Sequence, residues 1–400
     1  MNKDSAKDTV EFEDVDEDDI EVTPSADKVS SAVVYSSDWT VETIVSQIQR
    51  GNIHLTPGFQ RRDAWKIPRK SKFIESLMLG LPIPQIVLAE KKDERGKFVV
   101  LDGKQRLLSI MQFVGQADGG NNSFRLTSLE IATDLEKKTY ATIVDDAACE
   151  NYVNGFLNGT IRAVVIRNWP GMWFLHLLFL RLNTNSVQLS PQELRQAMFP
   201  GDFSVFIENF SANSQLLKDL LHLEEPDFRM RDVELTVRFL AFTMFLPEYR
   251  GNIKAFLDEA SEKLNDGWNE LEPAITHHLH QFEQSIEAAI AIFGYDDVAR
   301  RPIDPDGRKR PFNRALFDCV AFYFASEEVR NKSLENSEAV QKAMDAIWRE
   351  NTSFVRSLET TTKSITSVYT RLSEWGKALS AAIDMDITVP RLEDNRILYR

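Results

Sequence analysis

The chain has 400 residues, 43% of them hydrophobic, and its 61 acidic against 47 basic residues give a formal net charge of −14. That length favours two folded units over one, and the acidic balance excludes sequence-independent wrapping of duplex DNA, which draws its affinity from many Lys and Arg contacts to phosphate. Two distant cysteines, Cys149 and Cys319, exclude a disulfide framework. Without a leader-like start or an apolar run of about 18 residues, the expectation is a cytoplasmic protein with no membrane contact.

Residues 1–35, with the run EFEDVDEDDIEV, concentrate acidic charge and little that could form a core, so a disordered tail is expected there. Val41, Ile44, Val45 and Ile48 recur at helical spacing ahead of Gly51, which predicts a helix over 38–50. Pro68 suits the first turn of a second helix, whose face is Phe73, Ile74, Leu77 and Met78 and whose stop is Gly80 with Pro82. Strands are predicted over 85–90 and 97–101 around the turn DERG. A helix follows with Leu107, Ile110, Met111 and Val114 as its apolar stripe.

Beyond the polar loop GGNNS, residues 160–166 are the one clear strand. From about Trp173 onward helical periodicity dominates, and Ser190-Pro191-Gln192-Glu193 has the form of a capping box with proline at the first helical position. The expected fold class is α+β: an acidic tail over 1–35, a mixed α/β domain over 36–182 and an all-α domain over 183–400.

The chemistry concentrates in LDGKQR, where a strand ends and a helix begins. Gly103 permits a close backbone approach, and free N–H groups at a helix start attract an anion. Lys104 and Arg106 add positive charge, Arg as a two-pronged donor to phosphate oxygens and Lys as a mobile point charge. Asp102 is placed to order a metal-bound water or a ribose. The same letters have a plainer reading, because Asp102 followed by Gln105 is close to a capping box that needs no ligand.

Taken in order, FQRRDAW, LGLPIPQIVL and LDGKQR resemble the ParB/sulfiredoxin-like N-terminal domain of GmrSD-type restriction and phage-defence proteins. FLRLNTNSVQLSPQELRQAMFPGDF resembles the segment joining that domain to its helical partner, and RMRDVELTVRFLAF and RPFNRALFDCVAFYFA resemble later helices. The resemblance implies a nucleotide pocket that takes an NTP, with Mg2+ as a candidate companion, and hydrolysis that depends on the D-G-x-Q-R residues. It assigns Asp102 and Arg106 as catalytic candidates and Gln60, Arg61, Gly103, Lys104 and Gln105 as nucleotide-binding candidates, with no metal ligands. Lys104 stands where the family usually has Gln, which adds charge and removes an acceptor, so binding is better supported than turnover. Many relatives append an HNH nuclease module, which needs a His base; residues 281–400 hold no histidine, so none is expected in this chain.

Three further features have plain readings. His277 and His280 in THHLH lie three residues apart, but metal sites need several converging ligands, so a solvated helix face is expected. Arg300, Arg301, Arg308, Lys309, Arg310 and Arg314 form a basic cluster that would salt-bridge to acidic helices or, with the segment from Arg61 to Lys72, face DNA phosphates. Asn183 and Asn185 precede a helix start and suit turn and cap chemistry. The functional expectation is a nucleotide-binding component of a bacterial restriction or anti-phage system, leaning to an NTPase. The alternatives are a non-enzymatic antitoxin-like or modified-DNA sensor subunit acting with a separate toxin or nuclease, and a DNA-bound regulator.

Overall fold

The structure, a computed structural model, describes residues 32–55, 65–92, 94–116, 123–171, 174, 175, 178, 190–301, 311–359 and 362–399. The chain divides into two compact units at 198/199. The first is a mixed α+β domain and the second is helical, apart from one short hairpin.

In the first unit, β1 (Val33–Thr40), β2 (Ile53–His54), β3 (Ile86–Glu90), β4 (Phe98–Asp102) and β5 (Thr160–Arg167) form a sheet in the order β1-β5-β3-β4-β2. β1 pairs antiparallel with β5, β5 parallel with β3, β3 antiparallel with β4, and β4 parallel with β2. β1 is an edge strand on which Val33 and Val34 are exposed.

The two faces of the sheet bury different sets because side chains alternate along a strand. Ile86, Leu88, Phe98, Val100, Ile161, Ala163 and Val165 face a helical layer of α1 (Val41–Gln49), α2 (Ile67–Met78) and α3 (Lys104–Phe113), with α4 (Tyr140–Val144) and α5 (Glu150–Asn158) beyond. Phe113 anchors that layer, its ring 5.5 Å from each of Phe124, Tyr140 and Phe156. Val87, Ala89, Leu101 and Ile166 point the other way and are covered by Trp169, Phe174, Leu175 and Leu194, the last on α6 (Pro191–Met198). Helix α6, placed by sequence in the helical part, thus packs with the sheet.

The expected helix over 38–50 begins at Val41, because Thr40 caps it by accepting from the Thr43 amide at 3.1 Å while residues 38–40 pair with β5. Strand β1 itself is not among the expected elements: Val33 to Tyr35 fall in the expected tail and Asp38 to Thr40 in that expected helix. Its partner is more than 120 positions away along the chain, as the Asp38–Arg162 ion pair (separation 124) shows, so local periodicity carries no trace of it.

The second unit packs α7 (Asp202–Asn213), α8 (Gln215–Leu220), α9 (Arg231–Phe245), α10 (Ile253–Asp266), α11 (Trp268–Phe293) and α12 (Arg314–Phe324) around one core. The rest of it is α13 (Glu327–Glu335), α14 (Ser337–Glu350), α15 (Thr352–Glu359) and α16 (Ile365–Ala382). The all-α expectation needs one correction: β6 (Arg391–Glu393) and β7 (Arg396–Leu398) form a hairpin. Its turn residues Asp394 and Asn395 both have positive φ, the backbone that tight hairpins require and that Asp and Asn tolerate.

Candidate functional site

The turn between β4 and α3 is built by an irregularity in the sheet. Val87 pairs with Asp102 but Leu88 with Val100, so Leu101 is an extra residue on β4. Such a bulge bends the strand and re-aims the side chains at its end. Gly103 follows with φ 95° and serves as the N-cap of α3, without any side-chain cap. A Cβ here would sit 2.5 Å from Ile86 Cγ2 and 2.9 Å from Arg106 Nη1, so both the backbone conformation and the space demand glycine.

Asp102 is therefore not a helix cap, which removes the capping-box reading of this motif. Its carboxylate instead accepts from Arg106 Nη1 at 3.4 Å, one helical turn away. The same Nη1 donates to the Gln85 carbonyl at 2.9 Å, so the guanidinium turns inward and ties the entry of β3 to the end of β4. Arg106 is buried, whereas the Asp102 side chain keeps 19% of its surface exposed.

Lys104 is buried and its ammonium is paired with the Glu193 carboxylate of α6. Glu193 also makes the capping box expected from sequence, accepting from the Ser190 amide at 2.7 Å while its own amide donates to Ser190 Oγ at 3.0 Å. One carboxylate thus starts a helix and holds the cation of the turn. Gln105 Oε1 accepts from the Trp65 amide at 3.3 Å. Trp65 packs edge-on against Phe73 and carries Arg69 over its ring.

The structure thus brings Asp102, Gly103, Lys104, Gln105 and Arg106 together around one turn. Gln60, Arg61, Arg62 and Phe59 lie outside the described residues, as do Asn183 and Asn185. Sequence reasoning did not find Gln85 and Glu193 as partners of the turn. Glu193 stands 89 positions from Lys104, and Gln85 takes part through its backbone carbonyl, which has no sequence signature.

The other candidates separate cleanly. His277 and His280 are exposed on α11, while His278 is half-buried with Nδ1 3.0 Å from Gln281 Oε1, and burial lowers its pKa. No group of three or more His, Cys, Asp or Glu is placed to hold a metal ion among the described residues. In the basic cluster, Arg301 pairs with Glu359 at 2.7 Å and Arg314 lies 3.5 Å from Glu234, the salt-bridged arrangement expected. Arg308, Lys309 and Arg310 lie outside the described residues. Among the described residues no helix is long and apolar enough to cross a membrane.

Fold and turn together define a mixed-sheet domain with a strand–Gly–helix turn at the end of a central strand. Residues 41–165, which contain the whole of Asp102 to Arg106, match the family model described as the GmrSD restriction endonuclease, N-terminal domain. No curated protein and no solved structure matches the chain.

Proposed function

We propose that this chain is a nucleotide-binding component of a cytoplasmic restriction or phage-defence system, with a phosphate of a nucleoside triphosphate seated at the Gly103 turn. The observation that carries this reading is the left-handed Gly103 opening an α3 start with no side-chain cap, inside the segment that matches the restriction-family domain. A helix start of this kind favours negative charge. Lys104 is the cation that reaches the phosphate, and it does so by leaving Glu193. Arg106 holds Asp102 in place, and the part-exposed Asp102 carboxylate orders Mg2+ or water. Hydrolysis at this site would rest on stabilising charge on the phosphoryl oxygens, since the turn offers no nucleophile of its own.

The printed family description, a restriction endonuclease, supports DNA contact and a nuclease partner as further parts of this reading. The test is phosphate release from an NTP by the purified chain, with Arg106→Ala removing it. A second reading, nucleotide or partner binding without turnover by an antitoxin-like or sensor subunit, is favoured by the engagement of both cations with protein acceptors, Lys104 with Glu193 and Arg106 with Gln85 and Asp102. Saturable calorimetric binding with no phosphate release would select it.

A further inference from the structure

The helical unit contains a small pocket of about 30 Å3, partly open to solvent, lined by Arg238, Arg314, Lys363 and Arg371. Three helices begin at its wall. Ile253 is the first residue of α10, Arg314 and Ala315 are the first two of α12, and Lys363 directly precedes the Ser364 cap of α16. Their N-terminal partial charges add to those of the side chains.

Arg238 and Arg314 have carboxylate neighbours. Arg238 makes a two-pronged bond to Asp318 and lies 3.7 Å from Glu234, which is also 3.5 Å from Arg314. Arg371 differs. It is 2% exposed, its Nη1 donates to the Thr362 carbonyl at 2.6 Å and the Ser357 carbonyl at 3.4 Å, and its buried Nε has no partner. No ion pair joins it to a carboxylate among the described residues. Its neighbour Cys319 is no counter-ion, because burial pushes that thiol up to about 12. A guanidinium buried without a counter-charge is costly, and an anion in the cavity removes that cost.

We propose that this cavity binds a phosphoryl-bearing anion, held by Arg371, Arg314 and Lys363 at the starts of α10, α12 and α16. The guanidinium fork matches two phosphate oxygens, whereas a halide would use only one of its donors. This site lies in the helical unit and does not depend on the turn at Gly103.

Inorganic phosphate and an NTP are titrated separately into the full chain at constant ionic strength set by chloride, read by calorimetry and thermal melting. The expected result is saturable binding of one of these probes with a rise in melting temperature. Inorganic phosphate alone saturating the site identifies a free phosphate ligand, and at least tenfold tighter NTP binding identifies a nucleotide. Lys363→Ala, at a half-buried position, and Arg371→Lys, which keeps the charge but loses the fork, should each weaken binding by about tenfold or more, the scale of a lost charge-assisted hydrogen bond. The binding that Lys363→Ala and Arg371→Lys weaken is the one assigned to this site, which separates it from the turn in the first unit. The proposal is overturned if neither probe binds above the chloride control, or if folded Lys363→Ala binds as the native chain does.

Discussion

Replacing Gly103 by alanine tests the geometry of the turn directly. Holding an L-residue in the left-handed region costs ~1–2 kcal/mol. The new Cβ would press on Ile86 and Arg106, and forcing a methyl into such a packed place costs a further ~1–3 kcal/mol. Loss of glycine freedom in the unfolded chain returns ~0.4–1 kcal/mol. The net expectation is a destabilisation of about 1–4.5 kcal/mol, borne by the first unit. Urea unfolding of the full chain, with hydrogen exchange followed in peptides covering 98–113, measures it where it arises. A Gly103→Ala protein within about 0.5 kcal/mol of the native chain, the scatter of an ordinary surface change, refutes the account of the turn.

Glu75 gives a pH test. Burial alone would raise the pKa of its carboxyl, but the bonds it accepts from the amides of Ile131, Ala132 and Glu130 outweigh burial and hold it below the ordinary value. Its stabilisation is therefore complete above the unfolded value of ~4.3 and is lost as the pH falls through the lower folded value. Glu75→Gln should cost about 1–3 kcal/mol at pH 7, with the gap to the native chain closing in acid; urea midpoints at several pH values show it. In the second unit, Asp318→Ala removes the two-pronged carboxylate partner of the buried Arg238 guanidinium and should cost about 3–5 kcal/mol by denaturant titration, while Asp318→Leu with Arg238→Met should recover much of that. Glu193→Gln keeps an acceptor for the Ser190 amide but removes the charge that holds Lys104, so calorimetry should show tighter NTP binding; unchanged or weaker binding counts against release of Lys104 as the route to the phosphate.

Much of the sheet domain is legible because its central elements have local signatures. Pro68 and the face of Phe73, Ile74, Leu77 and Met78 mark the helix observed at Ile67–Met78, and the strands expected over 85–90 and 97–101 lie within a residue of Ile86–Glu90 and Phe98–Asp102. What escapes is set by distant partners: β1 is a strand only because β5 lies beside it. The hairpin at Arg391–Leu398 had a local cue in Asp394-Asn395 that the surrounding helical pattern outweighed. At the candidate site, composition marks Asp102 to Arg106 as a strand–helix junction. The bulge at Leu101, the inward turn of Arg106 and the Lys104–Glu193 pair come from pairing register and tertiary packing, which no short motif encodes.

The open side of β1 bears on how copies of this chain meet in solution. An eight-residue edge with exposed Val33 and Val34 is a template on which a second chain could add its own strand. The acidic run EFEDVDEDDIEV, separated from the strand by ten residues of sequence, gives every copy the same strong negative charge. Like charge then repels edge-to-edge docking at low salt, a gatekeeping role that asks nothing of the segment except its charge. Neutralising it should make association of copies at that edge easier.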